Sequence, residues 1–231
     1  MGTFLTSMKQ RTFFSVSPAF APRQIVRRFA ITALLALAAG VAQADTGKLL
    51  LTGGVSTVEG TAGGGLTPWA VIGSNATDGE MGASVYPTRA STQDYALSSY
   101  GITVGLYNRA EVSLARQDFD ASPAIALNGI AAFGVTPGQH IKMDVLGLKV
   151  RVAGDAVLNS DSLLPQVAVG LQYKTVDPGS IGSVLQFLGA STYGTDFYVS
   201  ATKLFLAQGI LVNGTLRSTN ANQNGLLGFG A

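Results

Sequence analysis

Few residues in this chain are of a type that does chemistry, and their spacing argues against most of the reactions they might serve. Histidine occurs once, as His140 in Gly138-Gln139-His140-Ile141-Lys142, and cysteine not at all. A metal centre needs several converging His, Cys or carboxylate ligands, which one His without a Cys does not supply. A barrel-borne serine lipase would carry Ser two residues after its His, but that position is Lys142, and G-x-S-x-G is also absent. His140 therefore reads as an ordinary residue at a strand edge. Asp118 with Asp120, and Asp155 with Asp161 around Ala156–Ser160, are paired carboxylates of a kind that serves acid–base work or holds Ca²⁺. Capping of their own turns explains them more economically. The glycine cluster at Gly60–Gly65 lacks the GxxxxGK[ST] spacing of a phosphate loop, and no helical period follows it. It reads as a mobile turn or a luminal segment. Asn75-Ala76-Thr77 and Asn213-Gly214-Thr215 fit the glycosylation sequon, but so short a pattern recurs by chance, and the second lies within an expected strand. No catalytic residue, metal ligand or cofactor site is assigned, and a non-enzyme is expected.

The elements that hold these residues alternate with a period of two. Ser99–Tyr107 puts Tyr100, Ile102, Val104 and Leu106 on one face, with Gly101, Thr103 and Gly105 on the other. Asn108-Arg109 supply a tight connection to Ala110–Phe119, where Val112 and Leu114 oppose Glu111, Ser113, Ala115 and Gln117. The pattern returns in Val145–Gly154 (Leu146, Leu148, Val150, Val152 against Gly147, Lys149, Arg151, Ala153) and in Pro165–Thr175. A further hairpin, Thr195–Phe205 with Gly209–Ser218, turns at Ala207-Gln208. Weaker strands are expected over Pro68–Ser74 and Glu80–Tyr86, about eight or nine in all. Ile181–Leu188 can form a helical turn inside a loop, and Asp120–Gly138 is a second long connection.

Soluble antiparallel sandwiches also alternate. Three features favour a membrane barrel instead. The polar face carries Gly, Ala, Ser, Gln and isolated charges rather than dense Lys and Glu. Its residues are small, as a crowded lumen requires. Tyr86, Tyr100, Tyr107, Phe119, Tyr173, Phe197 and Phe205 fall near strand ends, where an interfacial girdle would lie. The expected fold is thus all-β, an antiparallel up-and-down transmembrane β-barrel. A soluble exported β-sandwich that serves as a binding module is the alternative.

Charges on a lipid face cost ~2–4 kcal/mol at the bilayer midplane. Glu111, Lys149, Arg151, Gln166, Gln172 and Lys174 are therefore predicted to face the lumen. Arg116 shares its parity with Val112 and Leu114 and is the exception. In a barrel of about eight to ten strands the interior barely holds side chains, so a filled lumen is expected over an open pore. By the same register, Val150→Arg should be costly and Lys149→Gln mild.

The N-terminus carries an address. Residues 1–44 hold five basic residues and no acidic ones, and end in the apolar run Phe29–Val41 followed by Ala42-Gln43-Ala44. This reads as a secretory signal peptide cut before Asp45. The remaining 187 residues hold 10 basic and 13 acidic groups, against a formal charge of +2 for the whole chain, so a nucleic-acid partner loses its support. No later stretch approaches 18 consecutive apolar residues, and a mature chain that crosses a membrane must do so as a closed barrel. The expected organisation is 1–44 signal peptide, 45–67 Gly-rich segment and 68–231 barrel. The expected setting is the bacterial outer membrane, with its lipids and barrel-assembly machinery as partners and an unknown small-molecule substrate.

GKLLLTGGVSTVEGTAGGGLTPWAVIG (Gly47–Gly73), YALSSYGITVGLYNRAEVSLARQDFD (Tyr95–Asp120), GLKVRVAGDAV (Gly147–Val157) and LPQVAVGLQYK (Leu164–Lys174) resemble the DUF3034 group of Gram-negative outer-membrane barrel proteins. The Gly-rich block is the most specific of the four. The resemblance implies a single outer-membrane β-barrel with no assigned activity. Outer-membrane barrels usually finish on an amphipathic strand with a terminal aromatic, whereas this sequence stops in Asn222–Ala231, so a barrel truncated at its C-terminus is expected.

Overall fold

A computed structural model describes residues 55–93, 95–121, 138–156 and 163–230. All of them belong to the unit Gly40–Ala231. The expected signal peptide and cleavage site lie outside the described residues, as do Asp161 and most of the 120–138 connection.

Period-two alternation becomes one antiparallel sheet. A two-residue ladder, β1 (Gly63–Gly64) with β2 (Thr67–Pro68), precedes it. The sheet then runs in strict chain order through β3 (Met81–Ser91), β4 (Ala96–Leu106), β5 (Ala110–Asp120), β6 (His140–Ala153), β7 (Gln166–Asp177), β8 (Tyr193–Phe205) and β9 (Ile210–Ser218). These seven strands curl into a half-barrel, the up-and-down arrangement expected from the sequence. The sheet strands number seven among the described residues, rather than eight or nine.

Local chemistry sets the turns. Between β4 and β5 the chain reverses through Tyr107 (φ 53°) and Asn108 (φ 51°), closed by Arg109 N–H donating to the Leu106 carbonyl at 2.9 Å. Both central residues are left-handed, the hairpin geometry that matches strand twist, and Asn tolerates it better than most residues with a side chain. Between β7 and β8 lies a short helix, α1 (Gly182–Phe187), within the stretch predicted for a helical turn.

The sheet is inside out by the standards of a water-soluble protein. The face carrying small and polar residues is buried: Glu111, Ser113, Lys149, Gln172, Lys174, Asp196 and Ser200 are all at or below 1% exposed. The aliphatic face is open. Across one row of four paired strands, Val150, Val169, Val199 and Leu216 are 48%, 40%, 47% and 82% exposed. Where an apolar core forms, it sits at one end, with Ile141, Val176, Ile181 and Phe229 together. The stretch after β9 folds back there, and Phe229 pairs by backbone with Ser191.

Two expectations need correction. The strand expected over Pro68–Ser74 does not extend beyond Pro68, which belongs to β2; past it, the Ala70 backbone bonds to the Thr202 and Gln166 side chains instead of a neighbouring ladder. Tyr86 and Phe119 do not belong to an outward girdle. The Tyr86 ring lies over Gly101 on the buried face, and Phe119 packs on the Ile141 cluster and stacks with Tyr95. Asp118 and Asp120 also meet a partner across the sheet. They bracket His140, with Nδ1 at 2.7 Å from Asp118 and Nε2 at 3.6 Å from Asp120. All three residues lie on the outward face, beyond the aliphatic band.

Candidate functional site

The buried polar face is covered by Val55–Ser74, the described part of the 45–67 Gly-rich segment together with the first seven residues expected to belong to the barrel. A segment with almost no ladder of its own must satisfy its backbone elsewhere, since an unpaired buried amide or carbonyl is costly. Side chains of the wall do this. The Val58 carbonyl accepts from Ser99 (2.6 Å), Gln117 (3.1 Å) and Tyr86 (3.3 Å). The Pro68 carbonyl accepts from Thr215 (2.6 Å), Ser200 (3.0 Å) and Asn213 (3.4 Å). Ala70 N–H donates to Thr202 at 2.8 Å, and Gln166 donates to the Ala70 carbonyl at 2.6 Å. Alternation therefore has a purpose beyond keeping charges off one face. The small polar side chains act as the bonding partners of an inserted loop.

Two charge clusters pin the segment. In the first, Lys149 Nζ lies 2.8 Å from Glu111 Oε2, and both side chains are 1% exposed. Glu111 also accepts from Thr61 Oγ (2.6 Å), Ala62 N–H (3.1 Å) and Gly73 N–H (2.7 Å). Lys149 spends its remaining protons on Thr61 Oγ (3.1 Å) and the Trp69 carbonyl (3.1 Å), with the Ala62 carbonyl at 3.4 Å. Such a pair tolerates burial because almost every lone pair and proton is met. Gly73 makes its bond possible. A Cβ there would stand 2.5 Å from Thr103 Cγ2 and 3.2 Å from Glu111 Oε2.

In the second cluster, Glu59 bridges Lys174 through Oε1 and Arg217 through Oε2, the latter at 2.8 Å. Asp196 Oδ2 lies 2.8 Å from Lys174 and 3.7 Å from Arg217. Glu59, Lys174 and Asp196 are at most 1% exposed, and Arg217 16%.

Of the residues predicted to face the lumen, Glu111, Lys149, Gln166, Gln172 and Lys174 lie on the buried face against the segment. Arg151 sits at its rim, 3.2 Å from Asp155 and 3.3 Å from Asp78. Arg116 points outward and meets Asp144, its direct cross-strand partner, at 3.8 Å. Sequence reasoning missed Glu59, Asp196 and Arg217. A signal for Glu59 was present, since it is the lone charged residue between Lys48 and Asp78. Asp196 shares parity with Ser200 and Thr202, the same cue that identified Lys149.

Among the described residues no three His, Cys, Asp or Glu are grouped so as to hold a metal ion, and no helix is long and apolar enough to cross a membrane, which says nothing of a β-barrel. What the arrangement offers is a filled interior held by buried charge.

The family model described as a protein of unknown function (DUF3034) matches residues 52–231, which take in the segment and all seven strands. No curated protein and no solved structure matches the chain.

Proposed function

Starting from the chain's membership of the DUF3034 family, whose description assigns no activity, we propose that it is an outer-membrane β-barrel protein. In this reading it is either structural or a narrow channel, with the Val55–Ser74 segment as a plug. It is exported by a signal peptide removed before Asp45 and is not an enzyme. Its partners are lipids of the outer membrane and the machinery that assembles barrels there.

One observation carries this reading: the sheet buries Lys149, Glu111, Lys174 and Asp196 while exposing Val150, Val169, Val199 and Leu216. In water that arrangement would leave a large contiguous apolar patch with nothing to cover it. In a bilayer it is the low-energy choice, because the exposed aliphatics meet hydrocarbon and the charges meet each other. The outward face also changes character along the strands. Past the rows Val112–Leu148–Leu171 and Leu114–Leu146–Tyr173 come Arg116 with Asp144, Asp118 with Lys142, and Asp120 with His140. Charges gathered at one end of an apolar band fit a headgroup boundary.

Electrophoresis and fractionation test this reading. A folded barrel should sediment with outer membrane, resist SDS at room temperature and shift mobility on boiling, with Asp45 as its first residue. Recovery from the soluble periplasm without detergent, with no heat-dependent shift, would instead support the exported sandwich.

A further inference from the structure

The two charge clusters differ in where their carboxylates come from. Glu111 and Lys149 both belong to the wall and balance each other whether or not the plug is present. At the other cluster the wall supplies two cations, Lys174 and Arg217, but one carboxylate, Asp196. The second carboxylate is Glu59, from the plug, which lays one oxygen on each cation. If the plug left, Lys174 and Arg217 would lose the carboxylate that bridges them and keep Asp196 alone, so the wall would face the opened lumen with a net positive charge. The plug withdraws more readily when another carboxylate takes the place of Glu59.

The same place has capacity that Glu59 does not use. Gln172 precedes Lys174 by two residues on β7, so it shares the inward face, and it stands directly opposite Asp196 on β8. It is fully buried, yet neither its amide nitrogen nor its amide oxygen has a hydrogen-bond partner among the described residues. The hydroxyls of Ser113, in the same cross-strand row, and of Thr57, two residues before Glu59, are also buried and unpartnered. A site complete for a Glu side chain alone would not leave donors and acceptors idle beside it.

We infer that the Lys174–Arg217 pair, with Gln172 beside it, is a binding site for a small carboxylate carrying a further polar group, and that plug residue Glu59 occupies it as an internal substitute. This rests on the barrel reading above. It adds a solute class, small hydroxy- or amino-carboxylates, and a gating rule. Solute and plug compete for two cations, so the solute opens its own path.

Planar-bilayer recordings of the full chain test it, using only protein that shows heat-modifiable mobility, so that failure of the barrel reading is scored separately. In potassium chloride the wild type should stay mostly closed. Replacing chloride by lactate at equal ionic strength should raise its open fraction about tenfold, with propionate, which lacks the hydroxyl, clearly weaker. Gln172→Leu should abolish the difference between lactate and propionate. Glu59→Gln should open in chloride alone and select anions, with lactate adding no further opening; Lys174→Gln in that background should lose the anion selectivity. If Glu59→Gln does not yield a heat-modifiable barrel, the wild-type and Gln172→Leu recordings decide alone. The inference is overturned if lactate acts on the wild type no more than chloride does, if the Glu59→Gln current is cation-selective, or if neither protein conducts under any of these salts.

Discussion

Lys149 and Val150 are neighbours in β6 whose side chains meet opposite environments. Lys149 is 1% exposed and closes a pair with Glu111 at 2.8 Å, whereas Val150 is 48% exposed on the open face. The parity rule alone made Lys149→Gln look mild, since Gln is polar and fits an inward position. The carboxylate left behind changes that. Glu111 would be buried with no counter-charge, at an expected cost of ~3–5 kcal/mol. Glu111→Gln combined with Lys149→Gln should recover much of the loss, and a double-mutant cycle by denaturant unfolding from lipid should show strong coupling. Additive losses would mean that the pair is not closed. Val150→Arg should cost ~2–4 kcal/mol for a different reason, the transfer of a guanidinium into hydrocarbon. The facing of Lys149, Lys174 and Glu111 could be read from alternation. Their partners could not, because parity gives a direction but not what lies along it, and Glu59 sits in a tract with no period at all.

Among the elements, the strands were legible and the plug was not. Each strand from β4 to β9 carries the apolar–small alternation that only an extended chain with two unlike faces requires. Pro68–Ser74 misled because its short apolar run looks like a strand, while beyond Pro68 its backbone is bonded by Thr202, Gln166 and Glu111 from across the interior. Those bonds join residues far apart in sequence, and no local pattern encodes them. The fit of plug to wall yields a paired test. A Cβ at Gly73 would fall 2.5 Å from Thr103 Cγ2, while one at Gly214, in β9, meets nothing within 4 Å. Gly73→Ala should destabilise by ~1–3 kcal/mol, as overpacking does. Gly214→Ala should be nearly neutral in the same unfolding assay. Equal effects at the two sites would place the segment elsewhere than against β4 and β5.

At the scale of the molecule, the connections fall into two groups. Tyr107–Arg109, 154–165 and Leu206–Gln208 share one end of the sheet with the start of β3, while 92–95, 121–139 and the 178–192 connection with α1 lie at the other, beside the charged rim, and two of these three are longer than any at the first end. Outer-membrane barrels keep short turns in the periplasm and longer loops outside. An epitope inserted after Phe187, which is 84% exposed, should therefore be detected on intact cells, and one in Leu206–Gln208 only after permeabilisation. The reverse staining would invert the orientation. The central claim, that the open aliphatic face meets lipid while the charged face is filled from within, has a more direct test. The chain contains no cysteine, so single spin labels can be placed without background. Labels at Leu148, Val169 and Val199, compared with Ser113 and Gln172, should be read by collision with oxygen and with a water-soluble nickel chelate in reconstituted vesicles. The first three should be highly accessible to oxygen and shielded from nickel, and the last two shielded from both. Nickel accessibility at Leu148, Val169 and Val199, or shielding of all five from both reagents, would contradict the account.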